Sequence, residues 1–180
     1  AESPKELTVK LSGNSISYSI SRQHGTHEPN PITSELSRLG LTGTRSLTKF
    51  IPDEYKYDSI ENRYALLQGL MDTDGTVREN NRRSAEAKYT TISEKLRDDF
   101  IYLARSLGYR TTWHSETIAS GSIAYRVLLS GPKNPFHLTR KSERFSMFNN
   151  RQPHLYISNI QYVGKREVKC ISLDSAEHLF

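Results

Sequence analysis

Two aspartates and a glycine at the end of an apolar segment are the residues of this sequence best suited to chemistry. The segment runs from Leu66 to Gly75 and contains Asp72 and Asp74 near its end. Its apolar residues have the spacing of one helical face, which predicts a helix over 59–71: Leu66, Leu67, Leu70 and Met71. A carboxylate on the end of a packed helix can hold a hard cation such as Mg²⁺. A bound divalent cation can activate water for phosphodiester hydrolysis.

Within this segment, the pattern favours Asp74 as a metal ligand, with the main-chain carbonyl of Thr73 as a second ligand. Two ligands are too few for a closed site, so we expect a second carboxylate from a twin helix. Gly69 supports the twin, because a glycine inside a helix costs about 1 kcal/mol relative to alanine and close helix packing would explain it. The alternative is a helix end closed by an Asp-Gly turn without any metal. The spacing alone does not decide between the two.

Composition restricts the classes of protein that the chain can belong to. It has 180 residues, enough for one large or two small domains, and a net charge of +5. That moderate basic excess favours a polyanionic partner without proving one. A single cysteine, Cys170, excludes an internal disulfide framework and fits a reducing compartment. No apolar run approaches the roughly 18 residues of a membrane span, and the first residues lack signal-peptide features. We therefore expect a cytoplasmic protein, or a nuclear one in a eukaryote, that is neither secreted nor bound to a membrane.

The central helix is followed by strands and helices in a regular order. The predicted elements are a hairpin over 6–20, a short helix from Asn30-Pro31 to Gly40, an extended linker at 49–52, the central helix, strands at 76–79 and 84–92, a helix at 93–107, strands at 109–116 and 122–130, a helix at 135–148, and a strand-like tail at 154–180. From the central helix onward this order is αββαββα. It predicts an α+β fold, a saddle-shaped antiparallel sheet with helices on one face. Residues 6–40 resemble the last third of the same cycle, so we expect the chain to begin within an earlier repeat.

The phase of the predicted strands puts cations on one face of the sheet. If Val77, Tyr89, Trp113, Tyr125, Val127 and Leu129 are buried, the opposite face carries four basic residues: Arg78, Lys88, Arg110 and Arg126. A basic sheet of this width suits a DNA groove, where such residues bind phosphates or read base edges. The alternative is an ordinary solvated sheet face with scattered charges.

The segment from Leu67 to Gly75 resembles the LAGLIDADG signature of homing endonucleases, as do its surroundings. The matching residues are Leu67, Gly69, Leu70, Asp72, Asp74 and Gly75, with supporting segments at 49–52 and 103–108. The tail, at 168–173 and 177–180, resembles a block near the end of inteins. The resemblance is to the DOD-type, intein-encoded members. It implies the end of a preceding endonuclease repeat at 1–47, a LAGLIDADG repeat at 48–150, and an incomplete all-β splicing (Hint) segment at 151–180.

This resemblance implies the DNA endonuclease portion of an intein, which makes a double-strand break when it is paired with a second repeat. Double-stranded DNA and that second repeat are the implied partners. Asp74 would bind Mg²⁺, and a lysine after the last strand would assist catalysis. By position this lysine is Lys141, with Lys133 as the alternative; a solvated or phosphate-contacting lysine is the plainer interpretation.

The tail implies a different chemistry. His178 would correspond to the histidine that assists cyclisation of the terminal asparagine in inteins, and Cys170 would tune splicing or act as a nucleophile. A buried core cysteine and a surface histidine are the plainer alternatives. The chain has one LAGLIDADG motif and ends before the expected terminal His-Asn, so we expect that it does not splice alone. A splicing element with a decayed endonuclease, and a non-catalytic DNA or RNA binder on the same fold, are alternative functions.

Overall fold

The structure is a computed structural model that describes residues 7–11, 18–22, 30–80, 84–131, 133–146, 157–169 and 171–172. The elements in chain order are β1 (Leu7–Leu11), β2 (Tyr18–Arg22), α1 (Pro31–Arg38), α2 (Asp53–Lys56), α3 (Ile60–Asp74), β3 (Gly75–Asn80), β4 (Ser84–Thr91), α4 (Glu94–Ser106), β5 (Arg110–Thr117), β6 (Ile123–Ser130) and α5 (Thr139–Ser146). From α3 onward the observed order is αββαββα. The predicted α+β class and element order are therefore confirmed.

The larger sheet has four antiparallel strands in the order β3-β4-β6-β5. β1 and β2 form a separate antiparallel hairpin, as the alternation over 6–20 predicts. In the larger sheet Tyr89 lies opposite Val127, and Val127 lies opposite Trp113. Opposed residues share a face, so this register decides which side chains point toward the helices.

The core lies between this face of the sheet and the helices. It combines sheet residues such as Tyr89 and Val127 with Leu67 and Met71 of α3 and Phe100 of α4 in one buried cluster. The rings of Tyr89 and Phe100 are stacked with centroids 4.1 Å apart. Phe145 of α5 belongs to the same cluster. A single core shared by α3, α4, α5 and one sheet face agrees with the predicted arrangement of helices on one side.

Side chains define where the helices begin. Ser59 accepts a hydrogen bond from the Asn62 amide at the start of α3, and Ser93 accepts one from the Leu96 amide at the start of α4. Such caps satisfy amides that have no partner within the helix. At the other end of α4, Gly108 has a φ of +82°, a conformation that glycine adopts without strain.

A buried carboxylate joins the linker before α3 to α4. Asp99 accepts hydrogen bonds from the Ile51 amide at 3.0 Å, from Lys56 Nζ at 2.9 Å and from Lys95 Nζ at 2.7 Å. Burial acts to raise the pKa of Asp99, but these hydrogen bonds outweigh it and the pKa is lowered. The segment that contains α2 is thereby attached to the core.

Several element boundaries differ from the sequence predictions. The short helix α2 was not predicted, and α3 continues to Asp74 rather than ending at 71. α5 begins at Thr139 rather than 135, and the amides of His137 and Leu138, just before it, donate to the Asp72 carboxylate. Local sequence does not reveal this tertiary contact.

The tail does not form the predicted strands in the residues that the structure describes. Residues 157–169 and 171–172 have neither helical nor strand geometry, and their apolar side chains are exposed. A strand requires a neighbouring backbone to accept its hydrogen bonds, and none of the described strands pairs with this segment. The division into 1–47, 48–150 and 151–180 stays a prediction. Within the described ranges, no helix has the length and apolarity of a membrane span.

Candidate functional site

The end of α3 passes directly into β3 at Gly75, without the predicted turn. Gly75 has extended backbone geometry, with φ −82° and ψ 151°, and its N–H donates to the Met71 carbonyl. A Cβ at this position would lie 2.4 Å from the Met71 carbonyl oxygen and 2.8 Å from Met71 Cα. Glycine is therefore required by the close approach of the backbone rather than by a left-handed conformation.

Asp74 is the last residue of α3, and its side chain is exposed. No hydrogen-bond partner for its carboxylate occurs among the described residues. Its charge also affects Tyr89 on β4. The pKa of Tyr89 is raised mainly by burial and secondly by the negative charge of Asp74. An exposed carboxylate at the end of a helix, with no donor among the described residues, is available to a cation.

Asp72, by contrast, is already engaged. Its Oδ1 accepts from the amides of His137 and Leu138, each at 3.1 Å, and its Oδ2 accepts from Leu138 at 3.0 Å. These amides precede α5, where N–H groups have no partner within the helix. Asp72 is therefore committed to a structural contact, whereas the Asp74 carboxylate has no donor within the described ranges.

The ammonium group of Lys141 lies at the same end of α3. Nζ donates to the carbonyls of Met71 at 3.0 Å, Asp72 at 2.7 Å and Gly75 at 2.6 Å. Burial is the largest influence on the Lys141 pKa and the charge of Arg140 the next. Together they lower it, against the opposing effect of Asp72 and Asp74. The structure thus brings the candidate lysine to the motif aspartates.

Lys133, the alternative candidate, lies elsewhere. Its Nζ is 5.4 Å from the centroid of the Tyr64 ring. Tyr64 precedes Asp74 by ten residues, roughly 15 Å along a helix. Lys141 is therefore the lysine that the fold places beside the motif end.

The donor set at this end suits a magnesium ion only in part. Carboxylate and carbonyl oxygens are the ligands that Mg²⁺ prefers, and Asp74 and the Thr73 carbonyl supply one of each. The Thr73 hydroxyl is directed back along α3, donating to the carbonyls of Gly69 and Leu70 at 3.1 Å each. Among the described residues there is no group of three or more His, Cys, Asp or Glu that could hold a metal ion. The described residues at this end therefore supply two oxygen groups of the kind that Mg²⁺ prefers, and no cluster of such side chains.

The strand register puts the positions of the four predicted cations on one face of the sheet. Lys88 lies opposite Thr76 and Leu128, and Arg126 lies opposite Thr90 and His114. The same alternation puts Arg110 and position 78 on this face. Arg110 is exposed, and Lys88 and Arg126 are partly buried; the side chain of Arg78 lies outside the described part of the structure.

Arg126 is not a free cation. Its guanidinium forms an ion pair with Glu116 on the neighbouring strand, and its Nε is buried without a hydrogen-bond partner in the described part of the chain. Glu116 lies two residues after His114 and therefore shares its face. Sequence reasoning missed this acidic residue, although the strand phase contains the signal that would have found it.

Trp113 departs most from the predicted burial of this sheet, in which Val77 and Tyr125 are only partly buried. It lies on the helix-facing side as expected, but 47% of its surface is exposed. β5 is an edge strand of this sheet. The Trp113 ring is covered by the guanidinium of Arg97, 4.5 Å from the ring centroid, rather than by apolar core side chains. The same guanidinium lies 4.5 Å from the Tyr125 ring.

The candidate splicing residues cannot be placed on this geometry. Cys170 and His178 both lie outside the described residues. Their suggested roles therefore stay predictions.

A known protein family matches the part of the chain that contains the end of α3 and the four-stranded sheet. Residues 61–138 match the LAGLIDADG-like domain. The matched range begins in α3 and ends just before α5, so it contains the motif aspartates, the whole four-stranded sheet and α4. This supports the expected membership of the LAGLIDADG family.

The chain is also similar to three proteins with the same description. Each is called a replicative DNA helicase DnaB: one from Mycobacterium intracellulare, 32% identical over 83% of this chain; one from Synechocystis sp., 33% identical over 60%; and one from Nostoc sp., 31% identical over 57%. The alignments cover 26%, 14% and 12% of those proteins. The chain thus spans about a quarter or less of the length of the relatives that it matches.

Proposed function

We propose that this chain is the endonuclease portion of an intein and that it hydrolyses phosphodiester bonds of double-stranded DNA when a second LAGLIDADG repeat is paired with it. The proposal rests on the arrangement of Asp74 and Lys141 at the end of α3. There the Asp74 carboxylate has no hydrogen-bond donor among the described residues. The charged Lys141 Nζ lies close by and donates to the adjacent carbonyls. A pure binding surface has no need of an unpaired carboxylate beside the DNA.

Magnesium is the cofactor that we propose for this site. The Asp74 carboxylate and the Thr73 carbonyl would hold it, and it would supply activation of water and neutralisation of developing negative charge. Mg²⁺ commonly takes one or two carboxylates and fills its remaining positions with water and phosphate oxygens. One carboxylate from each of two repeats would satisfy that pattern.

The exposed side of α3 supports pairing with a second repeat. Ala65, Gly69 and Thr73 are small, exposed and spaced four residues apart. A Cβ added at Gly69 would meet no atom within 4 Å, so the described chain does not contain the helix that would explain this glycine. Small residues at a helix contact allow short interaxial distances. The twin helix would therefore come from another copy or from another part of the polypeptide.

A cleft beside α3 offers further apolar surface to the same partner. Its volume is about 400 Å³, and its walls include Leu66 and Leu70 of α3 with Leu36 and Leu39 near α1. Asp74 is among the residues that line it. An incoming repeat that packed against α3 would also cover this apolar surface, which adds hydrophobic stabilisation to the pairing.

The basic face of the sheet would contact the DNA backbone. Lys88 and Arg110 supply charge there, and Arg126 would exchange its bond to Glu116 for a phosphate or a base edge. Because phosphate contacts release counterions, affinity should fall linearly with the logarithm of salt concentration.

The three helicase relatives support an intein as the context of this nuclease. Each is several times longer than the aligned segment. An endonuclease domain carried within the polypeptide of a replicative protein is what an intein inserted into that gene would produce.

The test is DNA cleavage by the chain together with a second repeat. A plasmid library of random inserts is incubated with the protein in Mg²⁺ or in EDTA, and new DNA ends are sequenced. We expect ends at a common long site in Mg²⁺ alone. Specific binding to that library without cleavage in Mg²⁺ would instead support a decayed endonuclease or a non-catalytic binder.

A further inference from the structure

The ends of two helices exchange charged contacts at the motif. Asp72, near the end of α3, accepts three hydrogen bonds from the amides of His137 and Leu138. In return, Lys141 in the first turn of α5 donates three hydrogen bonds, two to carbonyls at the end of α3 and one to the Gly75 carbonyl at the start of β3. We call this set of six hydrogen bonds the α3–α5 clamp.

Each half of the clamp satisfies groups that a helix leaves unpaired. The N–H groups at the start of α5 carry partial positive charge, which a carboxylate stabilises. The carbonyls at the end of α3 carry partial negative charge, which an ammonium group stabilises. Hydrogen bonds with a charged partner are stronger than neutral ones, so the two halves reinforce each other.

We propose that Asp72 is a positioning residue: it holds the start of α5 on the end of α3 and so places Lys141 beside Asp74. Its carboxylate does not take part in metal binding. The consequence for cleavage rests on the function proposed above, whereas the clamp itself does not depend on it.

Additional contacts hold the segment that leads into α5. The Tyr64 hydroxyl donates to the Asn134 carbonyl, and Asn134 Nδ2 donates to the Ser142 carbonyl at 3.0 Å. These contacts attach the segment to the first half of α3 and to α5 itself. Without Asp72 the segment would stay attached there, and the loss of order would be confined to the residues around His137 and Leu138.

The first test compares hydrogen exchange in the folded chain. Asp72→Ala should increase exchange of the His137 and Leu138 amides about 10- to 100-fold, the loss expected for hydrogen bonds to a charged group. Asp72→Asn should stay within several-fold of the parent chain, because its Oδ1 can accept from the same two amides. Asp58→Ala is the matched control, since Asp58 accepts from the Ser59 amide at the far end of α3. It should increase exchange there alone.

The second test measures the chemical reactivity of the Lys141 amine. In Asp72→Ala, Lys141 should react faster with an amine-acylating reagent, as measured by peptide mass spectrometry, while Lys133 should not change. If the alanine variant does not fold, Asp72→Glu carries the same prediction, because its extra methylene displaces the carboxylate from the two amides. Unchanged exchange and unchanged Lys141 reactivity in the folded variants would overturn the clamp.

Cleavage separates positioning from metal binding. Asp72→Asn should retain cleavage, and Asp72→Ala should lower the cleavage rate constant with little change in DNA affinity. If Asp72→Asn preserved slow exchange but lost cleavage as fully as Asp74→Asn, Asp72 would be a metal ligand and the positioning role would be wrong. If the parent chain did not cleave at all, the proposed function would fail, and the exchange results would still decide the clamp.

Discussion

Gly75 offers the sharpest test of how the motif end is built. A Cβ there would lie 2.4 Å from the Met71 carbonyl oxygen, 2.8 Å from Met71 Cα and 2.8 Å from Met71 Cε. Two of these atoms belong to the backbone of α3, so they cannot move aside as a flexible side chain can. Overpacking costs about 1–3 kcal/mol, and we expect Gly75→Ala to fall in the upper part of that range. For a chain of this length, about 2–3 kcal/mol corresponds to a melting temperature lower by roughly 5–10 °C.

Gly69→Ala is the matched control. It lies in the same helix, but its added Cβ meets nothing within 4 Å. Replacing a helical glycine by alanine should stabilise the isolated chain by up to about 1 kcal/mol. Thermal or urea unfolding, followed by circular dichroism, measures both variants. A melting temperature for Gly75→Ala equal to that of the parent chain would refute the close approach of β3 to the end of α3.

Three further predictions concern the linker and the sheet. Asp99→Asn should cost about 1–3 kcal/mol in urea unfolding, since the buried Lys56 loses one charged partner but keeps its ion pair with Asp53. The pKa of Asp99 is lowered in the folded chain, so its contribution to stability is present above the ordinary aspartate pKa, near 4. That contribution is lost as pH falls through the lower folded-state pKa. In this acid range the parent chain should therefore lose stability more steeply than Asp99→Asn does. Lys88→Ala should reduce the slope of the logarithm of DNA affinity against the logarithm of salt concentration by about one, and an unchanged slope would remove Lys88 from the DNA interface. Glu116→Gln should strengthen DNA binding by releasing Arg126, and weaker binding in a filter assay would show that the ion pair is needed to orient the arginine.

Much of the fold could be predicted because its signals are local. The apolar spacing of α3 and α4, the serines that cap them and the alternation of the strands each depend on neighbouring residues. They led to the αββαββα order and to the shared face of the basic residues. The short α2 was missed because its position depends on Asp99, which follows Lys56 by 43 residues.

The site was predictable in part for the same reason. Asp74 could be chosen from its position at the end of the helix, and Lys141 from the resemblance. The engagement of Asp72 with residues 65 and 66 positions later in the chain could not be read from spacing. The sequence pattern predicts the close packing contact at Gly69, yet Gly69 faces open space and Gly75 meets the backbone of α3. Only the fold distinguishes them.

The central claim is that Asp74 supplies the carboxylate for magnesium-dependent cleavage. The most direct measurement is the rate of cleavage of the selected DNA site by Asp74→Asn in Mg²⁺, beside the parent chain and Asp72→Asn, with the fold checked by circular dichroism. We predict that Asp74→Asn keeps its fold and its DNA affinity and loses cleavage, while Asp72→Asn still cleaves. Cleavage by folded Asp74→Asn at the parent rate would contradict the account.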